Sequence, residues 1–271
     1  MGGALVEHPD VAGVSFTGGQ STGASVAKGA FSHNARVQLE MGGKNPLVVL
    51  DDCDLDRAVQ CALDGAFFAT GQRCTASSRI IVTQNIHDKF IDALAARVKA
   101  LKVGDALAAD TQMGPLASEA QLETTLSYIG VATQQGGRKV VGGDALKLAA
   151  PGYYVAPALI ADTNQDMRIN CEEVFGPVAS TVRVKDYDEA LAVANAGEFG
   201  LSAGIMTTSL KYARHFVRNV RAGMVMTNLP TAGVDYHVPF GGTRKSSFGP
   251  REQGFAAVEF YTQVKTSYTF A

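Results

Sequence analysis

The sequence predicts an α/β fold built on a mostly parallel sheet, and three observations carry that expectation. Apolar, β-rich runs alternate with helical patterns along almost all of the 271 residues, as strand–helix–strand units require. No internal repeat, low-complexity tract or flexible linker interrupts them. The composition, 46% hydrophobic and 18% charged, is that of a packed protein rather than a disordered one, and the chain is long enough to bury a substantial core.

The elements follow in order. GVSFT (13–17) reads as a strand running into a glycine-rich turn that opens a helix, GGQSTGASVAKGAF. PLVVL (46–50) is a buried strand. In the helix after it, Leu55, Ala58, Val59, Ala62, Leu63, Ala66 and Phe67 recur at the three- and four-residue spacing of one helical face, and Asp54 is placed to cap it. Strand RIIV (79–82) precedes a helix near 86–101, with Phe90, Ile91, Leu94, Val98 and Leu101 on one side. A Gly/Pro-punctuated region (104–116) leads to a helix from about Ser118 to Gln135. VASTVRV (178–184), AGIMT (203–207) and GMVMT (223–227) are further strands, separated by the helices DEALAVANA and SLKYARHFVRNVRA. Only one strand–helix unit precedes a change of character near Gly42, whereas a nucleotide-binding sheet needs several strands.

Several function classes are disfavoured. A net charge of −2 gives no electrostatic case for nucleic acid or an anionic membrane surface. The N-terminal MGGALVEHPD lacks the pattern of a signal peptide, Val6 breaks the myristoylation pattern, and no apolar stretch approaches spanning length. Cys53, Cys61, Cys74 and Cys171 lie at scattered spacings without a CxxC, as do the five histidines without ligand spacing. The expectation is therefore a cytoplasmic protein with neither a disulfide framework nor a metal site.

Four segments could carry chemistry. In FTGGQSTG (Phe16–Gly23) a strand enters glycines and then a helix, whose first N–H groups suit a phosphate; a tight strand-to-helix turn is the plainer reading. In LEMGGKNP (Leu39–Pro46), Glu40 would be a general base if burial raised its pKa toward neutrality, or else an ordinary strand-end glutamate. In GQRCTASS (Gly71–Ser78), Cys74 is either a reactive thiol or a small core residue. EEVFGPV (Glu172–Val178) is on its own a polar loop entering a strand.

Together these segments resemble the aldehyde dehydrogenase superfamily, joined by PFGG–K/S–G (Pro239–Gly249) and RE-x-G (Arg251–Gly254). The order of the motifs and the 34-residue separation of Glu40 and Cys74 (74 − 40) suit that family, and the likeness runs from about residue 10 to the C-terminus. It implies an aldehyde dehydrogenase-like catalytic domain with a remnant of a Rossmann-like cofactor domain. Residues 1–43 would be that remnant, 44–242 the catalytic domain, and 243–271 a C-terminal return with an oligomerisation strand over 264–270.

The resemblance also implies roles. Cys74 would be the nucleophile and Glu40 the base that activates water. Gly18 and Gly19 match the pyrophosphate loop, with Gly19 replacing a common serine. Met41 matches a residue approaching the nicotinamide, Glu173 the carboxylate on the nicotinamide ribose, and Phe175 an aromatic beside the ring. The cofactor would be NAD or NADP, and the partners an aldehyde and further copies of the chain. Phe240 falls where an aromatic lines the aldehyde funnel. Thr227–Gly242 and the GPREQG…EFYTQVKT region resemble members acting on 2-oxoglutarate semialdehyde, whose carboxylate would meet His237, Tyr236 or Arg251. The likeness is to about the second half of such a protein, without the family's oxyanion amide and adenine-ribose lysine. A catalytically silent fragment that binds ligand or a partner subunit weakly is the alternative expectation.

Overall fold

Asp54 accepts a hydrogen bond from the Arg57 N–H at 3.0 Å, capping the helix Leu55–Phe67 that the periodicity predicts. Its apolar stripe, including Ala58, Ala62 and Phe67, is buried. The computed structural model describes residues 2–271. Its backbone divides into two compact units, Gly43–Gly233 and a second formed by the chain up to Gly42 with Val234–Ala271.

The Gly43–Gly233 unit is built on a seven-stranded sheet. The order is Met224–Thr227, Ser202–Met206, Pro46–Val49, Arg79–Thr83, Val178–Val184, Ala158–Thr163 and Arg138–Val141. Every neighbouring pair is parallel except the last. Side chains alternate across a strand, and here both faces are covered. Leu47, Val49, Ile80 and Val82 join a core with the helices Leu55–Phe67 and Gln84–Lys99. Val48, Leu50 and Ile81 join another with Tyr187–Asn195 and Leu210–Asn219. A parallel sheet buried on both sides reads as continuous apolar sequence, which is why PLVVL and RIIV were visible. Two strands that the sequence pattern did not announce, Ala158–Thr163 and Arg138–Val141, complete the sheet. Helix Glu119–Gln134 is capped by the Ser118 hydroxyl.

In the other unit, Gly13–Thr17 and Arg36–Glu40 pair in parallel around the helix Gln20–Phe31. The two-residue strand Ser247–Phe248 runs antiparallel against Leu39 and Glu40. The buried cluster is small, formed by Ala30, Ala35, Val37 and Leu39.

The expected divisions after residues 43 and 242 stand beside compact units that divide after Gly42 and Gly233; residues 234–242 and 243–271 both group with the N-terminal segment. The strand expected over 264–270 would pair with a second copy of the chain. After the helix Ala256–Tyr261 the chain has no regular structure, and Val264, Tyr268 and Phe270 are fully exposed. A strand exists through hydrogen bonds to a neighbour, and the described residues give this segment none. No described helix is long and apolar enough to cross a membrane.

Candidate active site

Cys74 sits half-buried between the helix Leu55–Phe67 and the strand Arg79–Thr83. Three consecutive residues before it, Ala69, Thr70 and Gly71, have φ of 52°, 59° and 63°, a left-handed conformation unfavourable for residues with a Cβ. The Thr70 hydroxyl anchors this turn by donating to the Gly114 carbonyl at 3.1 Å. A Cβ on Gly71 would lie 2.3 Å from the Gly176 carbonyl oxygen. The glycine of GQRC is thus required by close approach to the glycine of EEVFGP, so these two motifs interlock inside one unit. The four cysteines are thiols. Burial raises the Cys53 pKa to about 11 and also pushes the Cys61 thiol up, which makes both poor nucleophiles.

The paired acids of EEVFGP have separate partners. Glu172 is held by both Nε and Nη2 of Arg168, at 2.9 and 2.8 Å, and accepts from the Tyr128 hydroxyl at 2.5 Å; the Arg168 and Tyr128 hydrogen bonds lower its pKa to about 2. Glu173 instead accepts from the Gly43 N–H at 3.0 Å. Burial raises its pKa, opposed by that bond and by the Lys44 charge. Lys44 is itself buried, and desolvation, with Arg79 beside it, lowers its pKa to about 7. Phe175 is 41% exposed with φ of 56°, a strained setting for an aromatic residue. Gln121 Nε2 stabilises it by donating to the Val174 and Phe175 carbonyls at 2.8 and 3.1 Å.

In the second unit Glu40 ends the strand Arg36–Glu40 and is 3% exposed. Burial raises its carboxyl pKa to about 7 against a lowering hydrogen bond from Ser247. The Ser247 hydroxyl donates to Glu40 Oε2 at 2.7 Å while its oxygen accepts from the Gly242 N–H at 2.6 Å. Gly241, at φ of 147°, leaves room for the carboxylate, since a Cβ there would be 2.6 Å from Glu40 Oε1. Ser247 and Gly241 were not singled out from sequence, although both lie within the PFGG-to-glycine motif.

The same unit holds the remaining candidates. The Gly18 N–H donates to the Glu40 carbonyl at 3.0 Å. Gly19 occupies the N-cap of the helix Gln20–Phe31 without a side-chain cap, and a Cβ there would meet nothing within 4 Å. Met41 packs where Gly23 has no side chain; with Gln20, Ser21, Phe31 and Leu39 it lines a groove of about 590 Å³. Phe240 is half-buried and bridges Glu252 through a pair of backbone hydrogen bonds. His237 and Tyr236 are exposed and pack edge-to-face on each other. Arg251 is half-buried beside Gly241 and lowers the Glu40 pKa slightly. Among the described residues no group of three or more His, Cys, Asp or Glu is arranged to hold a metal ion.

The model of the aldehyde dehydrogenase family matches residues 1–267. The chain belongs to that family. It is 43% identical over 99% of its length to the alpha-ketoglutaric semialdehyde dehydrogenase of Bacillus subtilis, and 43% identical over 98% of its length to the betaine aldehyde dehydrogenase of Rhizobium leguminosarum. In each comparison it covers 55% of the relative, so the chain spans about half the length of the curated aldehyde dehydrogenases it matches. The crystal structure of Staphylococcus aureus betaine aldehyde dehydrogenase with NAD+ superimposes with a TM-score of 0.92 at 36% identity, over 96% of this chain and 52% of that one. The expected family and the α/β fold are both confirmed.

Proposed function

We propose that this chain carries the nucleophile and the base of an NAD(P)-dependent aldehyde dehydrogenase, oxidising an aldehyde to a carboxylic acid. The observation that carries the reading is Glu40, a buried carboxyl whose pKa of about 7 suits a general base at neutral pH. It belongs to the same motif series as Cys74.

The residues fit a dinucleotide. Glu173 commits one oxygen to the Gly43 N–H and has acceptor capacity left for ribose hydroxyls. Phe175 is presented by a pinned backbone, and Gly18–Gly19 lead into an N-terminus without a side-chain cap, where backbone N–H groups favour an anion. When bound, the nicotinamide supplies the acceptor for the hydride. The Cys74 thiolate attacks the aldehyde carbon, forming a C–S bond and moving the π electrons onto oxygen. When that oxyanion reforms the carbonyl and hydride departs, a thioester to Cys74 remains. Glu40 takes a proton from water, whose oxygen attacks the thioester; the C–S bond breaks, Cys74 returns as thiolate and the acid leaves.

For the substrate we favour 2-oxoglutarate semialdehyde, supported by the Thr227–Gly242 segment and by the likeness to the Bacillus subtilis enzyme. The Rhizobium relative is named for betaine aldehyde, which carries a cation where 2-oxoglutarate semialdehyde carries an anion, so kcat/KM for the two separates them. We extend the reading to a cytoplasmic homo-oligomer, supported by the scattered thiols and the exposed apolar tail. The alternative is a chain that binds ligand or a partner subunit weakly without turnover.

The test is NAD+ and NADP+ titration followed by a burst assay with each aldehyde. Reduced cofactor that Cys74→Ala abolishes supports the enzyme; no binding and no burst leaves the alternative without turnover. In the same protein Cys74 should be alkylated by iodoacetamide well ahead of Cys53, Cys61 and Cys171. Equal rates at all four would remove it as the nucleophile.

A further inference from the structure

Every carbonyl from Arg73 to Ala76 in the Cys74 loop accepts a hydrogen bond. The Arg73 carbonyl accepts from the Ala76 N–H at 3.0 Å. The Thr75 carbonyl accepts from the Thr231 hydroxyl at 2.7 Å, itself 2.6 Å from the Ser77 hydroxyl. The remaining two, of Cys74 and of Ala76, which also accepts from the Ser78 N–H at 2.9 Å, converge on one side chain. Asn45 Nδ2 donates to both, at 2.8 and 2.9 Å.

Asn45 is 2% exposed, and its other end is also used: Oδ1 accepts from the Ser202 N–H at 3.0 Å, at the start of a central strand. The carboxamide therefore spans from the sheet to the loop with both donor hydrogens and its oxygen engaged. Two residues earlier, a Cβ on Gly43 would lie 2.7 Å from the Cys74 carbonyl oxygen, so the Asn45 segment approaches the loop as closely as backbone allows.

We propose that Asn45 is a positioning residue for the nucleophile. A peptide is planar, so its C=O and the following N–H point to opposite sides. Holding the Cys74 carbonyl fixes the Cys74–Thr75 peptide, and with the Thr231 and Ala76 bonds it leaves the Cα of Cys74 no rotation. The thiol then projects from a frame set by Asn45, rather than from a mobile loop. A donor is needed at two points, which neither Asp nor Ser supplies in this geometry. A buried carbonyl that loses its donor is costly. In an Asn45 variant the Ala76 carbonyl keeps the Ser78 N–H, but the Cys74 carbonyl loses its Asn45 bond and would turn toward another partner, carrying Cys74 with it.

The inference rests on Cys74 being the nucleophile, and the test separates the two. Wild type, Asn45→Ala and Asn45→Ser are alkylated with iodoacetamide from pH 6 to 10, and each cysteine peptide is quantified by mass. The expected result is fast labelling of Cys74 in wild type, a roughly 10- to 100-fold slower rate in Asn45→Ala with a displaced pH profile, and partial recovery in Asn45→Ser. Labelling of Cys171 should be unchanged. If wild-type Cys74 reacts no faster than Cys171, the nucleophile reading fails. If it reacts fast and both variants match its rate and profile, the positioning role is overturned. Should the variants not fold, side-chain amide exchange in wild type decides: Asn45 Hδ protons protected well beyond those of exposed asparagines support the clamp, and unprotected ones overturn it.

Discussion

The two units hold their candidate residues in different ways. In the unit that holds Cys74, Leu47, Ile80, Phe90 and Leu159 are wholly buried, and hydrogen bonds reach every carbonyl from Arg73 to Ala76. Around Glu40 the buried cluster is four small or medium residues, while Phe31 and Phe248 stay more than half exposed and Phe255 almost fully so. A nucleophile needs a fixed backbone, whereas a base must gain and lose a proton beside water. The deep core suits the first requirement; in the shallow one Glu40 is itself 3% exposed, and burial keeps its proton in play near neutral pH.

The largest expected effect follows from that contrast. Local stability tracks buried apolar contact, so amides of Leu47, Val48 and Val49 and of Arg79–Thr83 should exchange with solvent only on global opening. Those of Gly13–Thr17 should exchange on the order of a hundredfold faster or more. Phe90→Ala should cost roughly 3–5 kcal/mol in the Gly43–Gly233 unit and leave exchange at Gly13–Thr17 unaltered. Uniform protection across both units would show that they are equally stable.

A second effect concerns the charge buried in the shallow unit. Glu40 titrates near 7 when folded, against an ordinary value of 4.5, so its ionisation works against folding as pH rises from about 4.5 to about 7. Glu40→Gln removes that cost and retains an acceptor for Ser247. The variant should match wild type near pH 4 and exceed it by up to roughly 3 kcal/mol above pH 7, read as the difference in chemical denaturation across pH. A difference independent of pH would mean that Glu40 titrates normally. In a turnover assay the same titration predicts thioester hydrolysis rising between pH 6 and 8 in wild type and slow at every pH in the variant.

How much of this was legible in the sequence depends on the range of the interaction. The helix Leu55–Phe67 and its Asp54 cap were visible because their determinants lie within a few turns of one another. Strands 46–49 and 79–83 were visible because burial on both faces leaves an apolar run. Arg138–Val141 was not, since its residues are exposed or half-buried and it becomes a strand only by pairing with Ala158–Thr163. Cys74 and Glu40 could be named from ordered motifs, but the groups that hold them could not. Asn45 acts on carbonyls 29 and 31 positions away, and Ser247 on a carboxylate 207 positions away; only folding brings them together. The strand expected over 264–270 is of another kind, since the resemblance gives it a neighbour in a second copy, and within one chain Val264, Tyr268 and Phe270 are left exposed.

The smallest expected effect concerns the hydrogen bond on Glu40, the proposed base. Ser247 is oriented by the Gly242 N–H, which occupies its oxygen and turns its proton toward Glu40 Oε2. That bond favours the carboxylate and opposes the desolvation that raises its pKa. Ser247→Ala removes the donor and leaves the burial, so the Glu40 pKa should climb above 7, by about one unit for a hydrogen bond of roughly 1.5 kcal/mol to a charged group. Carboxyl absorption in difference infrared spectra, with Glu40→Gln as the blank, reads that pKa directly and needs no turnover. The turnover assay should show the alkaline shift in hydrolysis with the acylation burst retained. An unchanged or lowered pKa would mean that Ser247 merely fills space against Glu40, and that burial alone sets the base.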